Sequence, residues 1–209
     1  SSDVCSSDPI LAAGFLAHWR NSAHNPRYRS LYLQAHGEEK YRQAIAAAVR
    51  NLACVGAEPI GVTDCLNFGD PEIPAVSWQL REAVRGLAEA CRAFEVPVVS
   101  GNVSLYNDTQ GRSIHPTPTV AMVGLIETLG ALPSSSFERP GDRLLLLGKD
   151  FAEFGGSTYL RLLFDVEQGM PPHVDLEAEV RLARVLRDLV RSGLVSMVHD
   201  LARGGLGAA

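Results

Sequence analysis

Neither of the two common glycine-rich phosphate cradles occurs in the 209 residues: there is no Gly-x-x-x-x-Gly-Lys-Ser or -Thr loop and no Gly-x-Gly-x-x-Gly. Cysteine is scarce. Cys5, Cys54, Cys65 and Cys91 stand far apart, with no Cys-x-x-Cys pair and no histidine at ligand spacing, which excludes a zinc ribbon and a dithiol redox motif. They read as reduced thiols. Cys54 and Cys91 fall in helical patterns and are expected to pack, and a nucleophilic Cys65 would want a base that its neighbours do not supply. His18, His24 and His36 have no metal-ligand spacing either. No apolar run approaches the roughly 20 residues that span a bilayer, and no basic head with an apolar core opens the sequence, so a cytoplasmic chain is expected. Nineteen Lys and Arg against 24 Asp and Glu give a net charge of -5, with the basic residues scattered. Nucleic acid is excluded as an expected partner.

The hydrophobic share of 46% against 21% charged suits a globular protein of one or two domains. Residues 1–9 are small and polar without periodicity, and the whole of 1–36 reads as irregular, the first nine residues as a scar or frayed end. Tyr41, Ile45, Ala48, Val49 and Leu52 recur at helical spacing over Glu38 to Ala53, with Gly56 at a C-cap. Ile60 to Asp64 reads as a short buried strand ending in a carboxylate, followed by a loop from Cys65 to Pro74. A helix from Ser77 to Phe94 is expected to bury Leu80, Val84, Leu87, Cys91 and Phe94. It delivers the chain to Val98 and Val99.

Pro97 to Met122 carries the candidate site. A β-branched run stops at Ser100-Gly101-Asn102, Ser104, Tyr106 and Asn107 follow, and a turn-rich segment leads to a strand over Thr119 to Glu127. A glycine lets a ligand approach the backbone, and an Asn oxygen suits a hard cation such as Mg²⁺. A polar hairpin capped by Ser and Asn accounts for the same pattern. Asp64 and Gly101-Asn102 both stand at expected strand ends, where α/β folds place ligands.

Further on, 130–141 is a Pro, Gly and Ser-rich linker, Leu144 to Leu147 reads as a buried strand, and Gly155-Gly156-Ser157 is either a helix cap or a glycine-backed anion site. Asp175 is placed to cap a helix to Arg191 that Gly193 stops, and Leu194 to Val198 reads as a strand ending in His199-Asp200. Gly204-Gly205 opens a helix without further turns, so the expected organisation is a domain over 37–129, the linker, and a truncated domain over 142–209.

Three segments together resemble one family: Gly61-Val62-Thr63-Asp64-Cys65-Leu66-Asn67-Phe68-Gly69, Pro97 to Asn107, and Pro116 to Val120 running on to Glu127. They look like phosphoribosylformylglycinamidine synthase, with supporting matches at Arg50-Asn51-Leu52-Ala53, Gly155-Gly156-Ser157 and His199-Asp200-Leu201. The resemblance covers about Tyr41 to Ala209 and is to part of the second half of the synthetase. It implies an N-terminal α/β domain and a C-terminal α+β domain of the aminoimidazole ribonucleotide synthetase type. It also implies an ATP-dependent ligase that converts formylglycinamide ribonucleotide, with ammonia from a glutaminase, to the amidine. By the same resemblance Asp64 and Gly101 contact ATP, Asn102 binds Mg²⁺ and Ser104 contacts the ribonucleotide. No catalytic residue is expected in this stretch, and His115 and His199 read as structural. The expected partners are the first half of the synthetase and the glutaminase. The N-terminal forty residues depart from the family's pattern. The alternatives are a non-catalytic assembly module and a sibling ribonucleotide synthetase of the same fold.

Overall fold

The computed structural model describes residues 12–14, 39–128, 130, 132–137, 139–149, 153–154, 158–166 and 172–201. Their frame is a four-stranded mixed sheet. Strands β1 (Ala12–Gly14), β2 (Glu58–Asn67), β3 (Val98–Ser104) and β6 (Thr117–Leu125) lie in the order β1-β6-β2-β3. β2 pairs parallel with β3 and antiparallel with β6, and β6 pairs antiparallel with β1. The segment expected to be irregular thus contributes the strand β1. Helices α1 (Glu39–Cys54) and α2 (Pro74–Ala93) pack against each other, and the short strands β4 (Asp108–Thr109) and β5 (Arg112–Ser113) form a hairpin. Its two-residue turn, Gln110-Gly111, has φ of 56° and 72°, the left-handed pair that matches strand twist. Further on come α3 (Thr158–Phe164) and α4 (Leu176–Arg191).

One face of the sheet carries the core. Val62, Leu66, Val120 and Met122 alternate inward and meet Tyr41, Ile45, Val49 and Leu52 of α1, all buried. Each such side chain contributes about 1.5–3 kcal/mol on burial. Gly124 sits on this face because a Cβ there would stand 2.9 Å from a Leu52 methyl and 3.0 Å from the Ala57 Cβ. Gly56 turns the chain out of α1 at φ 73°, its amide donating to the Ala53 carbonyl at 3.0 Å.

Several expectations need correction. Asp64 and Gly101-Asn102 are not at strand ends: β2 runs on to Asn67 and β3 to Ser104, because both strands hydrogen-bond through the polar stretch. The buried stripe of α2 is Val76, Gln79, Ala83, Gly86, Leu87, Ala90 and Cys91, while Val84 is exposed. Small residues bring this face close to α1, so the stripe is set by fit and not by the bulkiest apolar residues. Leu144 to Leu147 form no strand and are all exposed, since among the described residues no neighbouring strand offers a ladder. Leu194 to Val198 likewise form only an isolated parallel bridge, Ser134 with Met197.

The expected helix to Arg191 is present, its start capped by Asp175, which accepts from the Ala178 amide at 3.0 Å. α4 and the residues after it dock on α1, on the turn that follows it and on the start of β2 through a charged seam. Arg50 meets Glu179 at 2.8 Å and Asp200 at 3.7 Å, Arg187 meets Glu58 at 3.0 Å, and Arg191 donates to the Gly56 carbonyl at 2.9 Å. His173 and the Val174 amide both reach Glu39 at the other end of α1.

Candidate functional site

The parallel register sets the site. Asp64 pairs with Gly101, Cys65 with Asn102 and Asn67 with Ser104, so the four expected site residues lie on two adjacent strands. Alternation then divides them. Asp64 and Gly101 point to the helix face, and Asn102 and Ser104 point to the open face, together with Thr63, Cys65, Asn67 and Ser100. β3 is an edge among the described residues and most of its length is exposed.

Gly101 makes a notch in that edge. A Cβ on it would stand 2.6 Å from Asp64 Oδ1 and 3.3 Å from Asp64 Cγ, so the carboxylate of the inner strand lies in the space that a side chain of the edge strand would fill. Partial burial holds the Asp64 carboxyl above the usual carboxylate range. The same charge acts on Cys91 of α2, whose thiol is pushed up to about 11 by burial first and by Asp64 second. A half-buried carboxylate is an acceptor for hydroxyl or amine donors.

On the open face, the side-chain amides of Asn102 and Asn67 both donate to Cys65 Sγ, at 3.5 and 3.4 Å. With its NH₂ turned inward, Asn102 presents its oxygen to solvent. Asp64 lies on the opposite face. Among the described residues no group of three His, Cys, Asp or Glu side chains is placed to hold a metal. An outward amide oxygen is a neutral donor of the kind that a hard cation takes as a single ligand.

Ser104 closes the strand. Its hydroxyl donates to Asn107 Oδ1 at 3.2 Å, and Asn107 Nδ2 donates to the Phe68 carbonyl at 3.0 Å. Gly69 lets the hairpin close over this corner, since a Cβ there would stand 2.4 Å from the Ser113 Cβ. Sequence reasoning noted Asn107 among the polar residues but gave it no part. Its signal was the Ser-x-x-Asn spacing, which suits a side chain reaching back over a turn. Sequence reasoning also missed the meeting of Arg50 and Asp200, though both stood in quoted motifs. Burial, with Glu179 adding to it, raises the Asp200 carboxyl above its ordinary value against the pull of Arg50. His199 Nδ1 lies 2.6 Å from the Asp200 carbonyl, a local contact. Gly155-Gly156-Ser157 lies outside the described residues, as do His18, His24 and His36.

A mixed four-stranded sheet backed by two helices is followed by a second α-containing segment. The family model for the N-terminal domain of AIR synthase related proteins matches residues 33–126, and the model for their C-terminal domain matches 139–209. The two in succession give the class of the protein, α/β then α+β of the AIR synthase type. Within that class the chain belongs to the phosphoribosylformylglycinamidine synthase family. It is 48% identical over 166 residues to subunit PurL of Caldanaerobacter subterraneus subsp. tengcongensis, a match covering 79% of this chain and 23% of the relative. PurL of Anaeromyxobacter sp. (strain K) is 52% identical over 166 residues, covering 79% and 22%. The chain thus spans about a quarter of the length of these relatives. Thermotoga maritima PurL, solved with FGAR, is 29% identical over 79% of this chain and 23% of that chain, with a TM-score of 0.49. Its complex with ATP matches 46% of this chain and 16% of that one at 39% identity, with a TM-score of 0.39. Agreement of shape at these scores is slight, and the family rests on sequence.

Proposed function

We propose that this chain is part of an ATP-dependent C–N ligase. In it ATP phosphorylates the amide oxygen of formylglycinamide ribonucleotide, and ammonia from a glutaminase then displaces that phosphate. The products are formylglycinamidine ribonucleotide, ADP and phosphate. The observation that carries this reading is the notch at Gly101: an edge strand that lacks a side chain opposite a half-buried carboxylate, flanked on the other face by an outward amide oxygen and a hydroxyl. PurL relatives about 50% identical over this stretch support it.

In this proposal a nucleotide lies along β3. Asp64 accepts hydrogen bonds from its ribose hydroxyls or base amine, because like charge keeps the carboxylate from the phosphates. Gly101 lets the nucleotide approach the backbone. Asn102 would hold Mg²⁺ through its side-chain oxygen, and Ser104 hydrogen-bonds the ribonucleotide. When bound, Mg²⁺ neutralises charge on the transferring phosphoryl group. This chain contributes binding and orientation, and no general acid or base is assigned to it. The first half of the synthetase and the glutaminase complete the assembly, which works in the cytoplasm.

Calorimetric titration with Mg²⁺-ATP, of the chain alone and with a first half supplied, tests the reading. Binding only with the partner is the expected result. Absence of binding in both, from folded protein, sinks it.

A further inference from the structure

We infer that Asn107 is a positioning residue for Ser104, and this rests on the reading of Ser104 as a ribonucleotide contact. Ser104 is the last residue of β3, where the ladder to β2 ends and the strand no longer fixes the side chain. The fixing is done by the amide three residues on. Asn107 Nδ2 lies 3.0 Å from Ser104 Oγ, 2.9 Å from the Ser104 carbonyl and 3.0 Å from the Phe68 carbonyl, while Asn107 Oδ1 accepts from the Ser104 hydroxyl at 3.2 Å. One planar group thus satisfies the hydroxyl and both carbonyls.

The backbone is shaped to deliver it. Tyr106 takes φ 57°, a left-handed conformation unfavourable for an aromatic residue, and its amide donates to the Gly69 carbonyl at 3.0 Å. This reverses the chain so that Asn107 comes back beneath Ser104. The Asn107 amide then donates to the Phe68 carbonyl at 3.2 Å, and its carbonyl accepts from Ile114 at 3.1 Å. Asn107 therefore links the end of β3 to the Phe68-Gly69 bend and to the exit of the β4–β5 hairpin. Tyr106 itself is exposed, so burial does not explain the strained backbone. Placement of Asn107 does.

The test is a double-mutant cycle in the intact synthetase supplied with ammonia, with KM measured for formylglycinamide ribonucleotide and for ATP. Ser104→Ala and Asn107→Ala each raise the ribonucleotide KM by about tenfold, the double variant raises it no further, and the ATP KM moves by less than about twofold. Single effects that multiply to about a hundredfold in the double variant overturn the inference, because Asn107 then acts independently of Ser104. An unchanged KM in Ser104→Ala overturns the reading of Ser104 itself. Asn107→His keeps a ring N–H near the position of Nδ2 and covers a folding loss in the alanine variant. A ribonucleotide KM close to wild type in Asn107→His supports positioning through Nδ2, and an unchanged ribonucleotide KM in a folded Asn107→Ala overturns it.

Discussion

The two faces of the sheet are made of the same strands and obey different rules. Toward the helices, Val62, Leu66, Val120 and Met122 are buried to a few per cent exposure, and one carboxylate, Asp64, is set among them. On the other side, Thr63, Cys65, Asn67, Ser100, Asn102 and Ser104 carry hydroxyls, amides and a thiol. The first face is a packing surface in which Gly101 leaves an opening; the second is a surface of hydrogen-bonding groups. A ligand that touched all four candidate residues would cross the edge strand at Gly101, where the side chain is missing.

The sharpest way to break this comparison is Gly124→Val against Ala121→Val, one on each face of β6. Gly124→Val drives atoms into Leu52 and Ala57 and should cost about 3 kcal/mol or more in thermal unfolding, while Ala121→Val should change stability by less than about 0.5 kcal/mol. Equal costs would mean that the faces do not differ as described. Gly101→Ala comes next, at about 1–3 kcal/mol, because its methyl meets the Asp64 carboxylate. Asp64→Ala in the same chain should recover most of that loss. If it does not, the notch is not what the glycine serves.

Asn102→Ala should leave Tm within about 1 °C, since the side chain is exposed, yet lower ATP affinity about tenfold in the presence of Mg²⁺ and leave it unaltered without. A loss independent of the metal would contradict the role proposed for the amide oxygen.

The smallest effect concerns pH. Asp64 keeps its proton to higher pH in the folded chain than in the unfolded one. The folded state then binds more protons between the two pKa values, and stability falls as pH rises from the ordinary Asp value of about 3.9 through the folded one. Asp64→Asn should remove that fall, raising Tm slightly at neutral pH and not at pH 3. A variant whose Tm gain is the same at both pH values would show that charge burial is not the cause.

Much of this fold could be read from periodicity. The spacing of Tyr41, Ile45, Val49 and Leu52 gave α1 its inner face, and Asp175 with Gly193 bracketed α4. The faces of the site could not be read in that way. A β-strand that alternates Asp64 with Thr63 and Cys65 looks like a strand that has stopped, because polarity on an open face and polarity in a loop leave the same trace. Leu144 to Leu147 show the opposite error: apolar character signals a tendency to be covered, whereas a strand also needs a neighbour whose amides face it. The seam between Arg50 and Asp200 joins residues that local spacing does not relate at all.

The turn at Gln110-Gly111 has a practical use. Gln110 is exposed at the tip, and the hairpin it closes is anchored at its base to Asn107 through Ile114. A fluorophore attached there, on a cysteine introduced at Gln110, would ride on the corner that holds Ser104 without touching the sheet. With Ser104 in its proposed role, a change in emission on adding the ribonucleotide, and none on adding the nucleotide, is the expected result.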